Sequence, residues 1–477
     1  MNTLRLLPLA LVLAGCSLAP KFETPPVAVP AAFKELAPDE RGNWKTAEPG
    51  DALPRGAWWT VFGDPLLDAL ENEARVSNQD LKAAAARVTA SRAVLGLTSA
   101  ERLPRLDGGF GAMRSQPGPV QPGLPPGTKL DPYTVLRAQV TASYEVDLFG
   151  RIADSVRAAR EDVAAREALY ASMELTLAAD LAQTYFAARQ AEAELGVLGA
   201  AVKLRAEGVQ LLGKQYAAGA IGEFDLARAR TELATSEADL KALVRSRAQF
   251  EHALAVLLGR PPAEFSLSGG TLAATPPQVP AGLPSSLLER RPDVAAAQRE
   301  MAAANARIGV AKAAFFPVLN LTGAFGFESG DITDLFQWSS KTWVLGQIAG
   351  TMLAAPIFDG GRNRANLDRA YAVLEESVAS YRQRVLGAFS EVEDNLVALS
   401  TLAAQSQAIA VAVEQASAAA KIANVRYTAG ATGYLDVLDA ERTRLTVARQ
   451  EQALRGARAV TTVALIRSLG GGFQSTH

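Results

Sequence analysis

A chain of 477 residues would ordinarily hold about three domains. Its charge is nearly balanced, Lys+Arg 48 against Asp+Glu 50, so it lacks the basic field that nucleic-acid binding requires. Alanine fills 92 positions and aromatics only 6%, a composition for long, closely packed helices rather than a broad globular core. With His252 and His477 the sole histidines and Cys16 the sole cysteine, neither a Ser–His–Asp triad nor a His-rich metal site can be assembled. An internal disulfide is impossible.

Residues 1–15 read as a signal peptide: Arg5 precedes an apolar run from Leu6 to Leu13, far short of the ~20 residues that span a bilayer as a helix. The segment Leu13-Ala14-Gly15-Cys16 resembles the bacterial lipoprotein processing box, which implies a covalent lipid on Cys16 and cleavage before it. Ser17, rather than Asp, in the next position points to the outer membrane. Residues 16–63 carry seven prolines from Pro20 to Pro54 without periodicity, so they are expected to lie extended across a scaffold.

The next stretch, 64–262, begins a helix at about Asn78 with Ser77 as N-cap and ends it before Pro104. From Leu136 to Asp147 the chain alternates: Leu136, Ala138, Val140, Ala142, Tyr144 and Val146 on one face, Arg137, Gln139, Thr141, Ser143, Glu145 and Asp147 on the other. Such a strand suits a membrane barrel, and also a sandwich strand with one solvated face. A Gly-rich partner, Arg105 to Arg114, precedes it across a Pro/Gly loop. Arg151 then opens a proline-free helical run to about Gly213, roughly 90 Å at 1.5 Å per residue, with Val156, Val163, Tyr170 and Leu177 spaced by seven. A reversal at Gly219 and Gly222 returns the chain in a second helix. The P-loop-like Gly208 to Lys214 lacks its Ser or Thr and its preceding strand, so it is dismissed.

After a linker at 263–282, residues 283–473 repeat the plan, and 474–477 form a tail. YAAGAIGEFDLARA, from Tyr216, returns 211 positions later as YTAGATGYLDVLDA, from Tyr427. Upstream the offset is 213, where Gly96 and Pro104 match Gly309 and Pro317. Strands are expected around Leu319 to Phe327 and, alternating poorly, from Thr342 to Ile357. Each half therefore reads helix, strand, strand, long helix, reversal, helix. Four strands cannot close a barrel, so a membrane reading requires oligomerisation.

Several segments together resemble TolC/OprM-type outer membrane efflux channels, nearer the lipidated OprM-like branch. They are LPSSLLERRPDVAAAQREMAAANARIGVAKAAFFP (Leu283 to Pro317), WWTVFGDPLLDALENEA (Trp58 to Ala74), YEVDLFGR (Tyr144 to Arg151), APIFDGGR (Ala355 to Arg362) and both Tyr-x-x-Gly reversals. The resemblance implies a mainly α fold with β: a homotrimer sharing a 12-stranded outer membrane β-barrel, continued by a long periplasmic α-helical barrel, with two tandem structural repeats per chain. Residues 263–282 would help build an equatorial belt. The implied function is the passive exit duct of a tripartite efflux pump for drugs and other small toxic molecules, not an enzyme. Its partners would be a periplasmic adaptor, a proton-driven inner membrane pump and outer membrane lipids, with no cofactor. Protein secretion or metal-ion efflux is the alternative, and a non-pore periplasmic coiled-coil lipoprotein the reading from another class.

The resemblance also maps a gate onto the reversals. Asp436 and Asp439 would form anionic rings, Leu435 and Leu438 an apolar constriction, Arg442 would pair with Asp439, and Asp225 would accept a hydrogen bond from Tyr427. Thr432 stands where TolC has an arginine. Arg290 and Arg291 are expected to be structural, near a helix opened by Ser286, Glu289 and Pro292.

Overall fold

The computed structural model describes residues 17–27, 33–34, 56–118, 130–272, 290–346 and 352–471, with isolated positions in the loop after 118 and at 277. Cys16, Ser286 and Glu289 lie outside the described residues. The elements are α1 (Pro65–Ser77), α2 (Gln79–Ala100), β1 (Arg105–Ser115), β2 (Tyr133–Val146), α3 (Arg151–Ala217), α4 (Glu223–Leu257), α5 (Pro292–Ala313), β3 (Val318–Ser329), β4 (Lys341–Leu345), β5 (Leu353–Ala354), α6 (Arg362–Thr428) and α7 (Tyr434–Ser468).

The duplication is visible in the element lengths. The helices α3 and α6 each have 67 residues, and α4 and α7 each have 35. The first half departs from the sequence expectation at its start: α1 is a separate helix, capped by Asp64, whose carboxylate accepts from the Leu66 and Leu67 amides. Asn78, not Ser77, caps α2, its side-chain oxygen accepting from Leu81 N at 2.9 Å. Ser77 instead donates to the carbonyl of Leu258, and Asn78 Nδ2 to that of Leu257, tying off the C-terminus of α4.

Contacts divide the chain into two compact units. One contains Arg87–Arg166 and Ala297–Tyr381 with the N-terminal residues as far as Pro25, and it holds the sheet. Its strands run antiparallel in the order β1-β2-β3-β4, with β5 also on β3. Register settles the faces. Leu106, Ala142 and Gly323 are cross-strand partners, as are Gly108, Val140, Phe325 and Trp343, and Phe110, Ala138 and Phe327. Directly paired residues share a face, so the apolar residues of β1, β2, β3 and β4 form one apolar surface. Much of it is uncovered: Phe110, Val140, Phe325 and Trp343 are 63, 50, 51 and 67% exposed. The other face carries Asp107 opposite Thr141 and Arg137 opposite Glu328, the last two ion-paired at 2.9 Å.

The other unit contains Pro26–Ala86, Glu167–Ala296 and Arg382–His477. Its core joins Trp58 and Trp59, Leu67, Leu70 and Ala74 of α1, Leu181 and Tyr185 of α3, Leu254 of α4, and Val463 and Ile466 of α7. Arg291 is buried here as a structural residue: it pairs with Asp293 and Glu391, both at 2.6 Å, and donates to the Ser468 carbonyl. Pro292 is the first residue of α5, as expected.

Candidate functional site

The two reversals have the same construction. Gly219 and Gly430 adopt φ of 72° and 73°, a left-handed conformation that glycine takes without penalty. In both, the glycine amide bonds the carbonyl three residues back, and the next amide bonds the one five back: Gly219 N to Tyr216 O and Ala220 N to Gln215 O, Gly430 N to Tyr427 O and Ala431 N to Arg426 O. This closure satisfies the last carbonyls of α3 and α6. Gly222 and Gly433, both extended, then precede the first turns of α4 and α7.

The α7 reversal carries the acidic residues. Asp436 and Asp439 are both exposed, one turn apart. The Asp436 carboxylate accepts a hydrogen bond from the Thr432 hydroxyl, so the residue standing in place of an arginine ties the reversal to the first turn of α7. Asp439 pairs with Arg228 of α4 at 2.9 Å, not with Arg442, which makes no ion pair among the described residues. Arg228 and Asp439 are 211 positions apart, so they occupy equivalent places in the two repeats: like positions carry opposite charges and meet.

Two further expectations are corrected. Tyr427 donates to Gln215 Oε1 at 3.2 Å rather than to Asp225, which sits half-buried in the first turn of α4 without a side-chain partner among the described residues. Leu438 is 9% exposed and packs on Leu212, Leu226 and Ala229, so within the chain it is a helix-packing residue; Leu435 is 38% exposed.

One feature escaped the sequence reading. Tyr434 opens α7 against α3: its hydroxyl occupies the space where a side chain at Gly208 would begin, and its ring meets that of Tyr427 edge-on at 5.2 Å. Burial raises the Tyr434 phenol above its ordinary pKa, with the neighbouring Tyr427 and Glu441 adding to the shift and Arg205 opposing it. A cavity of about 240 Å³ opens beside it, lined by Arg205, Glu207, Gly208, Leu211, Tyr427 and Tyr434 among others. The signal was available, since the counterpart of Tyr434 in the first repeat is Glu223 and that of Gly208 is Ala419.

A sheet with an exposed apolar face marks a membrane protein, and two pairs of long helices, each joined by a glycine reversal, accompany it. The chain belongs to the outer membrane efflux protein family, whose profile matches it twice, at residues 70–260 and 283–471. It is 33% identical to the cation efflux system protein CusC of Escherichia coli strain K12 over 480 residues, 99% of this chain and 100% of that one. It is 33% identical to the toluene efflux pump outer membrane protein TtgF of Pseudomonas putida, covering 98% and 96%. The outer-membrane channel OprN superposes with a TM-score of 0.86 at 30% identity, covering 96% of this chain and 99% of that one. The protein is an outer membrane efflux channel.

Proposed function

We propose that three copies complete a 12-stranded barrel continued by a periplasmic helical barrel, serving as the passive exit duct of a tripartite pump. The observation that supports this most directly is the open sheet: among the described residues β1 pairs only with β2, and β4 and β5 only with β3, which leaves both edges to pair with neighbouring copies. Exposed edges inside a bilayer would leave backbone groups without partners, and closure removes them. Strands β1, β2 and β3, of 11, 14 and 12 residues, are long enough to cross a tilted barrel wall, and the fourth strand expected from Thr342 to Ile357 is present as the two short pieces β4 and β5, both on β3. Transport, not catalysis, is the activity, and the energy comes from an inner membrane pump through a periplasmic adaptor. The chain needs no cofactor; its covalent addition is the lipid on Cys16.

The cargo is drugs, solvents and other small toxic molecules. Metal-ion efflux is the second reading, favoured by the relatives named for cations, whereas others at equal identity are named for toluene. Deleting the gene and measuring susceptibility to lipophilic drugs, toluene, silver and copper separates the two. Sensitisation to the organic compounds alone is the expected result, and sensitisation to metals alone overturns the cargo assignment.

A further inference from the structure

The duplication breaks where the chain's N-terminal residues lie against α3 of the first repeat and α5 of the second. Asp154, one turn into α3, is fully buried; its Oδ1 accepts from the Ser17 hydroxyl at 2.8 Å and from Arg157 at 2.5 Å, while Arg157 also donates to Ser17 Oγ at 3.0 Å. On α5, Gly309 leaves the space that Asp154 fills: a Cβ at that position would overlap the Asp154 carboxylate and lie 2.8 Å from the Ala19 Cβ. The N-terminal strap then continues along α5, with Asn305, 6% exposed, donating to the Pro20 carbonyl at 2.8 Å and Gln298 to Thr24 Oγ1 at 2.9 Å.

None of this is reproduced between the equivalent helices, α2 and α6. The counterparts of Asp154 and Arg157 are Ala365 and Asp368, and the counterpart of Gly309 is Gly96, beside which nothing lies within 4 Å. A feature demanded by the duplicated fold would occur twice; one that receives a single N-terminus occurs once. We propose that Asp154, Arg157, Gly309 and Asn305 form a docking socket for residues 17–24 that fixes the lipid-bearing end of the chain at the junction of strand and helix. The placement is chemically apt. Asp154 follows the end of β2 by only eight residues, and Phe149 and Phe316 stack at 4.6 Å at that junction, aromatic residues of the kind that gather where a barrel wall meets the headgroups. Cys16 is bonded to Ser17, so fixing Ser17 there starts the acyl chains at the level of the bilayer surface instead of leaving them on a loose tether. The proposal rests on the acylation of Cys16 proposed above.

The test uses acylated trimers carrying a nitroxide on Lys21→Cys, a position whose side chain is 86% exposed and whose strap is held on either side. The parent is expected to give a single slow line shape. Asp154→Ala with Arg157→Ala should raise the mobile component about tenfold, as expected when hydrogen bonds to charged groups are lost. Ser17→Ala, which leaves both helices intact, should give a smaller rise in the same direction and carries the test if the double variant forms no trimer. An unchanged line shape in Ser17→Ala, or in a trimeric double variant, overturns the socket. Palmitate incorporation is followed in parallel: its absence from the parent would refute acylation, while the line shape would still report whether the strap docks.

Discussion

Breaking the Arg228–Asp439 pair from either side should have opposite electrical and equal mechanical effects. The pair is 32 and 58% exposed, so each copy is worth about 0.2–1 kcal/mol. In the proposed trimer, three copies acting together at a closed tip would sum to about 0.6–3 kcal/mol, and ~1.4 kcal/mol is a tenfold change in the closed-to-open ratio. Either Arg228→Ala or Asp439→Ala should therefore raise open probability about tenfold. Charge behaves differently. With the pair intact its two charges cancel, so Arg228→Ala adds one net negative charge per chain and should strengthen cation preference. Asp439→Ala leaves Arg228 alone and should weaken it. Reversal potentials across a salt gradient in planar bilayers, at low ionic strength where screening is weak, measure this directly. If the two variants move the reversal potential in the same direction, these residues do not face the conduction path.

Val140 and Phe325 lie on the apolar surface, so Val140→Arg should impair assembly by ~2–4 kcal/mol near the midplane, whereas Thr141→Arg on the opposite face should be tolerated; trimer yields compare them. Glu71 is completely buried in the α1 core, neither oxygen has a partner among the described residues, and burial pushes its carboxyl up to about 9, with Arg75 opposing and Asp68 adding to the shift. Because the folded state then holds a proton the unfolded state releases near 4.5, its contribution to stability falls as pH rises from about 4.5 to about 9. Glu71→Gln should remove that slope and exceed the parent by at least ~1 kcal/mol at pH 8, read from thermal dissociation of trimers between pH 6 and 9. Cys16→Ser behind a working cleavage site should lose palmitate label yet stay partly in outer membrane fractions, since strand faces and acyl chains anchor independently.

The strands and long helices were legible because their information is periodic. Alternation along Leu136–Val146 and the offset of 211 assign faces and lengths without any partner residue being known, and the register joins those faces as expected. What periodicity cannot convey is which side chain a polar group will choose. Tyr427 chose Gln215 over Asp225, and Asp439 chose Arg228 on another helix over Arg442 on its own, because an interhelical partner at 2.9 Å depends on packing that no local spacing records. The duplication offers a way round this limit. When two halves share a fold, positions that agree report the fold, and positions that differ report what only one half does: Tyr434 against Glu223, Arg228 against Asp439, Asp154 against Ala365. In this chain those differences fall at the reversals and at the N-terminal strap, the places where identical scaffolds must seat a buried tyrosine, form an ion pair and receive a single chain end.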